Sequence, residues 1–140
     1  MKVEYNFEHP FKLSNQERYT EWIKDIISLS GKSLGQLAYN FYDDQQLLLL
    51  NQKYLNHDTF TDILTFDYGN GNVISGDICI SIDRVKENAS TFQVNFEDEL
   101  RRVMAHGVLH LLGYQDRTES EKSVMRKKEE ELMALFHVEH

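Results

Sequence analysis

The chain has 140 residues, 41% of them hydrophobic and 27% charged, with a formal net charge of −8 and one cysteine, Cys79. This length and composition predict one domain over residues 1–140 with a real core; they exclude a disulfide framework and a broad basic surface for nucleic acid, though not a local basic groove or a bound metal. Met1-Lys2-Val3-Glu4-Tyr5 lacks a signal-peptide layout and the longest aliphatic run, Leu47 to Leu50, is too short to span a membrane, so a soluble, cytoplasmic protein with no membrane partner is expected.

Val3, Tyr5 and Phe7 alternate along Lys2 to Phe7 and predict a short strand, broken by His9-Pro10. Ser14 with Glu17 three residues later has the form of a capping box. It predicts a helix carrying Tyr19, Trp22, Ile23, Ile26 and Ile27 and ending near Gly31. Leu37, Tyr39 and Phe41 alternate in a second strand, Leu34 to Tyr42, and Asp43 caps a helix to about Leu55 with Leu47, Leu48 and Leu50 as its buried side. Ile63 to Tyr68 and Ile74 to Ile82 read as strands joined by the hairpin-type Gly69-Asn70-Gly71-Asn72. A short helix follows from Asp83 to about Phe92. Asn95 and Asp98 open an apolar helix containing His106 and His110, and Thr118 with Glu121 caps a last helix to about Phe136. The fold class expected is α/β (α+β), a small four-stranded mixed sheet packed with about five helices.

His106 and His110 lie four residues apart on that apolar helix. Residues so spaced share one face, about 5–6 Å apart at Cβ, and two imidazoles so placed can converge on zinc at roughly 2.0–2.1 Å. The competing reading is a histidine packed in the core beside another at the surface. Three features favour the metal: unpaired imidazoles are costly to bury on an apolar helix, Gly107 leaves room between them, and a helix-ending Gly113 is followed at short range by Asp116. His106, His110 and Asp116 then form a three-ligand set with one position open, as in catalytic zinc-hydrolase sites. The position after the first histidine, where the H-E-x-x-H proteases carry their general base, is Gly107, so peptide hydrolysis is not expected.

The stretch from His106 to Asp116, His-Gly-Val-Leu-His-Leu-Leu-Gly-Tyr-Gln-Asp, resembles the H-G-x-L-H-L-x-G-Y-D-H signature of the YbeY family of metal-dependent endoribonucleases. Thr61 to Phe66 is similar to the family's T-D-V-L-S-F segment, Gly76 to Ser81 to its G-D-I-x-I-S strand, and Asn51 with Tyr54 to its N-x-x-Y. The resemblance implies a single-strand-specific endoribonuclease of bacterial cytoplasm acting in 16S rRNA 3′-end maturation and ribosome quality control. It also implies one Zn2+ per chain, single-stranded RNA or the small ribosomal subunit as partner, and a ribosomal or assembly-factor protein as a further partner.

Two positions depart from the family pattern. Asp116 stands where the family has a third histidine, which lowers the formal charge of the site by one and suits iron(II) and other divalent metals as well as zinc. Leu55 stands where the family has an arginine. His57 and Asp62 are the candidate catalytic groups, with Asp58 as a further candidate for activating water, although an exposed loop histidine and an Asp making local turn hydrogen bonds are the commoner uses of such residues. Asp77 is read as organising a strand. Arg84, Arg101, Arg102 and Arg117 are candidates for phosphate contact, each weighed against a solvated surface charge. The run Arg126-Lys127-Lys128-Glu129-Glu130-Glu131 reads as a solvated helix face, and His137 and His140 as non-ligating. Two alternatives stand beside the endoribonuclease: an iron(II) oxygenase built on the two-His-one-carboxylate set, and a non-enzymatic ribosome-assembly factor with a structural metal.

Overall fold

The centre of the molecule is set by apolar residues that alternate along four strands. A computed structural model describes residues 1–57 and 59–137, so Asp58 and His140 lie outside the described residues. In chain order the elements are β1 (Lys2–Phe7), α1 (Gln16–Leu29), β2 (Ser33–Tyr42), α2 (Asp44–Leu55), β3 (Ile63–Asp67), β4 (Val73–Ser81), α3 (Ile82–Phe92), α4 (Phe96–Leu111) and α5 (Glu119–Phe136). The strands form one mixed sheet in the order β1-β2-β4-β3. The pairs β1–β2 and β2–β4 are parallel, whereas β3 and β4 form the expected antiparallel hairpin.

Register places like with like. Tyr5, Tyr39, Ile78 and Thr65 make one cross-strand row, and Phe7, Phe41, Ile80 and Ile63 the next. The rings stack along these rows, Tyr5 on Tyr39 at 6.0 Å and Phe7 on Phe41 at 5.3 Å between centroids. This face takes the main core. The buried stripe Trp22, Ile23, Ile26 and Ile27 of α1 joins it, and Phe136 at the end of α5 meets Trp22 edge-on at 5.3 Å. On the opposite face Leu47 of α2 packs with Leu64 and Cys79 in a smaller cluster. No helix among the described residues is long and apolar enough to cross a membrane.

Three local expectations are corrected. Ser14 does not cap α1: the capping residue is Asn15, in the left-handed region at φ 58°, with no side-chain cap bond. Asn tolerates that conformation, and the sharp turn lets Leu13 reach the core while Ser14 stays exposed. α3 opens on Ser81, whose hydroxyl accepts from the Arg84 backbone, instead of on Asp83. In α2 only Leu47 of the leucine run is fully buried, and Asn51 is the other buried position, its side-chain amide donating to the Thr59 carbonyl at 2.8 Å.

The helix that matters for the site, α4, starts as the sequence predicts. Asn95 accepts from the Asp98 backbone, and Glu97, Asp98 and Glu99 place negative charge at its positive end. Two features seat it on the sheet. The fully buried Tyr39 donates its hydroxyl to the Met104 carbonyl at 3.0 Å, two residues before His106. Gly107 faces β3 and β4 so closely that a Cβ there would stand 2.8 Å from Ile78 Cγ2 and 3.0 Å from Ile63 Cδ1. The position that carries the base in a metalloprotease helix is therefore turned into the core of this one. Gly107→Val is expected to destabilise the protein by about 1–3 kcal/mol through overpacking, read as a lower urea midpoint with an unchanged m-value.

Candidate metal centre

The end of α4 builds the first part of the site. Gly113, at φ 103°, lets the chain reverse, and the Tyr114 and Gly113 backbone N–H groups donate to the carbonyls of Leu109 and His110. This is the Schellman pattern. It swings the Tyr114 carbonyl back under the helix, where it accepts from His110 Nδ1–H at 3.0 Å. A carbonyl can only accept, so His110 carries its proton on Nδ1 and presents Nε2 as a lone pair. The same reversal brings Asp116 to the two rings.

His106 is fixed from the other side by α5. Its Nδ1–H donates to Glu129 Oε2 at 2.6 Å, and Glu129 is 4% exposed. In the neutral ring, its Nε2 is then also a lone pair. The two Nε2 atoms stand 2.9 Å apart, and Asp116 Oδ2 lies 3.3 Å from His106 Nε2 and 3.5 Å from His110 Nε2. Three electron-rich atoms thus converge with their protons held elsewhere, an arrangement that a cation stabilises and that is repulsive without one. Tetrahedral bonds of about 2.0–2.1 Å place donor atoms about 3.3–3.4 Å apart; the two Asp116 separations match this and the 2.9 Å between the Nε2 atoms is shorter, so His106, His110 and Asp116 could hold a metal by their chemistry and convergence. All three are half-buried, which leaves one side of the cluster open.

Behind these ligands lies a buried charge network that the sequence reading missed. Arg102 donates through Nε and Nη2 to both oxygens of Glu99 at 2.9 and 2.7 Å, and through Nη1 to Glu129 Oε1 at 3.2 Å. Its Nη2 also lies 3.8 Å from Asp62 Oδ2. The bonds to Glu99, more than offsetting desolvation, push the Arg102 pKa up from its ordinary value, so the guanidinium stays charged. Arg102 is consequently the counter-ion of two buried glutamates and is not free for phosphate. Glu129 is likewise no part of a solvated face. The signal for it was present: Met125, Glu129, Leu132 and Phe136 follow helical spacing along α5, which sets Glu129 in the apolar stripe.

The remaining candidates are placed as follows. Asp62 precedes β3; its carboxylate accepts from Asn88 Nδ2 at 3.3 Å and its backbone carbonyl from Ser81 N–H at 3.0 Å. Burial pushes its carboxyl up from the ordinary value, while Arg102 and His106 pull it back. His57 is exposed beyond the left-handed Asn56 that ends α2, with its backbone N–H on the Asn51 carbonyl. Arg84 pairs with Asp44 at 2.8 Å, and Arg101 pairs with Asp98 at 3.1 Å and covers the Phe136 ring. Arg117 and Leu55 are exposed. Asp77 accepts from Asn40 Nδ2 at 3.3 Å and joins β4 to β2.

A model of the family described as Endoribonuclease YbeY matches residues 4–137. The Endoribonuclease YbeY of Flavobacterium johnsoniae is 48% identical over 137 residues, covering 98% of this chain and 99% of that protein. That of Bacteroides thetaiotaomicron is 45% identical over 116 residues, covering 83% and 85%. The solution structure of TM1509 from Thermotoga maritima superposes with a TM-score of 0.72 at 25% identity, covering 96% of this chain and 88% of that one.

The network behind the ligands separates two effects by mutation. Arg102→Ala leaves Glu99 and Glu129 buried without their cation and is expected to cost about 3–5 kcal/mol, measured by urea unfolding; a surface phosphate-binding arginine would cost almost nothing. Glu129→Gln keeps the shape but weakens the hold on His106, and metal affinity measured by chelator competition is expected to fall about 10–100-fold.

Proposed function

The chain belongs to the YbeY endoribonuclease family, and from that membership we propose that it cleaves single-stranded ribosomal RNA, in maturing the 3′ end of the small-subunit RNA and in ribosome quality control, with one zinc ion held by His106, His110 and Asp116. The chain is an endoribonuclease, and this decides among the three readings open from sequence. The single observation that carries the site assignment is the convergence of two lone-pair Nε2 atoms and the Asp116 carboxylate within 2.9–3.5 Å of one another. When bound, a metal there supplies Lewis acidity toward a phosphate oxygen and acidifies a bound water. Two imidazoles and one carboxylate are a set that catalytic zinc uses, and the 3.3 and 3.5 Å separations to Asp116 suit it.

The chain's own residues do the rest. Glu129 and the Tyr114 carbonyl orient the two imidazoles and hold their Nδ1 protons. Asp62 is the better supported of the two candidate proton acceptors. It is half-buried, its carboxyl is shifted upward, and it lies beside Arg102 in the network that ends on His106. An upward-shifted carboxyl is a stronger base than an ordinary one, which suits accepting a proton from attacking water at neutral pH. His57 has no bond among the described residues that ties its ring to this network, and it stays outside the proposed machinery.

Purified protein with defined metal is expected to cleave single-stranded but not duplex RNA, and His110→Ala to lower the rate at least 100-fold with the fold intact by circular dichroism. Cleavage that survives His110→Ala at the parent rate would overturn the assignment.

A further inference from the structure

We propose that Arg126 is a phosphate-binding residue and that the groove it divides seats one nucleotide of single-stranded RNA beside the metal centre, with its phosphate on the guanidinium and its base against Phe92, Val94 and Met133. This rests on the endoribonuclease reading of the site and specifies how the substrate is held.

The first observation is the allocation of positive charge. A cavity of about 210 Å³ opens on His106 and Asp116, and the cations lining it are Arg102, Lys122 and Arg126. Arg102 is committed to Glu99 and Glu129. Lys122 has a partner in Glu119, at 3.9 Å. Arg126 has no ion pair or hydrogen bond to any of the described residues. Its place on the helix is fixed, because the α5 backbone is pinned on both sides of it. The capping box of Thr118 and Glu121 fixes the start of the helix, and Glu129, three residues beyond Arg126, is bonded to His106.

The surroundings make that free guanidinium informative. Asp116 and Glu129 lie against His106, and Asp62 and Glu99 stand behind them against Arg102, so four carboxylates belong to the centre and its supporting network. A polyanionic substrate approaching such a site needs cationic contacts that the protein has not already used. Arg126 is available for that contact, and a guanidinium matches a phosphate with two parallel hydrogen bonds.

The second observation is continuity. Arg126, with Arg102 and Glu129, also lines a neighbouring cavity of about 480 Å³, whose apolar walls are Phe92, Val94 and Met133. Phe92 is 58% exposed and Val94 44% exposed. An exposed aromatic ring lining the same cavity as an unused arginine is the pairing by which proteins hold unpaired nucleotides: the ring stacks a base of any sequence and the cation takes the backbone. A base reaches Phe92 only when it is not stacked and paired in a duplex, so this subsite selects single strands.

The test uses the metal-loaded full chain and a short 2′-O-methyl single-stranded RNA, checked on a gel to be intact after each titration. Binding is followed by fluorescence anisotropy from low to moderate salt. Arg126→Ala is expected to weaken binding at least tenfold at low salt and to flatten the slope of log K against log salt by about 0.7, the value for one phosphate contact on a single strand. Arg126→Lys is expected to recover the slope, and Lys24→Ala on α1 to change neither quantity. Phe92→Ala is expected to weaken binding about fivefold or more with an unchanged slope. In a series of oligonucleotides with one abasic residue at successive positions, one position should cost the parent affinity and cost Phe92→Ala none. Metal content by elemental analysis should equal the parent's in both variants. If the parent cleaves RNA while Arg126→Ala keeps the parent's slope, or Phe92→Ala the parent's affinity, the inference fails and the endoribonuclease reading stands. A parent that neither binds nor cleaves RNA overturns both.

Discussion

The bond between the buried Glu129 carboxylate and His106 Nδ1 is the interaction on which the site depends. It places a proton on Nδ1 of a proposed metal ligand, and it ties α5 to α4 beside the candidate site. A carboxylate at that depth is costly unless it is paired. Arg102 pairs it, and Glu99 holds Arg102 in turn, so one imidazole is oriented by a chain of charges running back into the core. The other imidazole is oriented without any charge, by the Tyr114 carbonyl that the Gly113 turn brings beneath it. The two ligands of one helix thus have separate supports, one from tertiary contact with α5 and one from the local geometry of a helix end.

These two supports were not equally legible in the sequence. Gly113 and Asp116 follow the histidines at short range, and the left-handed turn that joins them is a local matter, so the turn and the approach of Asp116 to the two rings could be read directly. The strands could be read from alternation at Tyr5, Tyr39 and Ile78, and the antiparallel hairpin from Gly69 to Asn72. The spacing of Met125, Glu129, Leu132 and Phe136 sets Glu129 in the apolar stripe of α5, but its partner could not be read, because that partner is a histidine on another helix. Arg102 could be read only as a candidate phosphate contact or a solvated surface charge, and is neither, for the same reason: what a guanidinium does depends on the carboxylates the fold brings to it. The start of α1 failed on a smaller scale. Ser14 had the right chemistry for a cap, but burying Leu13 required the turn at Asn15, one residue later.

A chain with a net charge of −8 that acts on RNA must concentrate its attraction in one place. Here four carboxylates belong to the ligand cluster and the network behind it, against the single guanidinium of Arg102, so the site is negative until it gains a cation. A divalent ion answers that imbalance and gives a phosphate somewhere to bind. Leu55, exposed and uncharged, adds nothing to the attraction. The free cationic capacity beside the ligands lies instead on α5, the same helix that supplies Glu129.

Glu129 and the Tyr114 carbonyl each accept from an imidazole Nδ1–H, which leaves Nε2 as the atom each ring offers to a metal. Long-range proton–nitrogen correlation NMR on the metal-loaded protein, with nitrogen-15 in the histidine rings, measures this directly. The account predicts that His106 and His110 both show a protonated Nδ1 and a metal-shifted Nε2. A protonated Nε2 on either ring, or coordination through Nδ1, would contradict it.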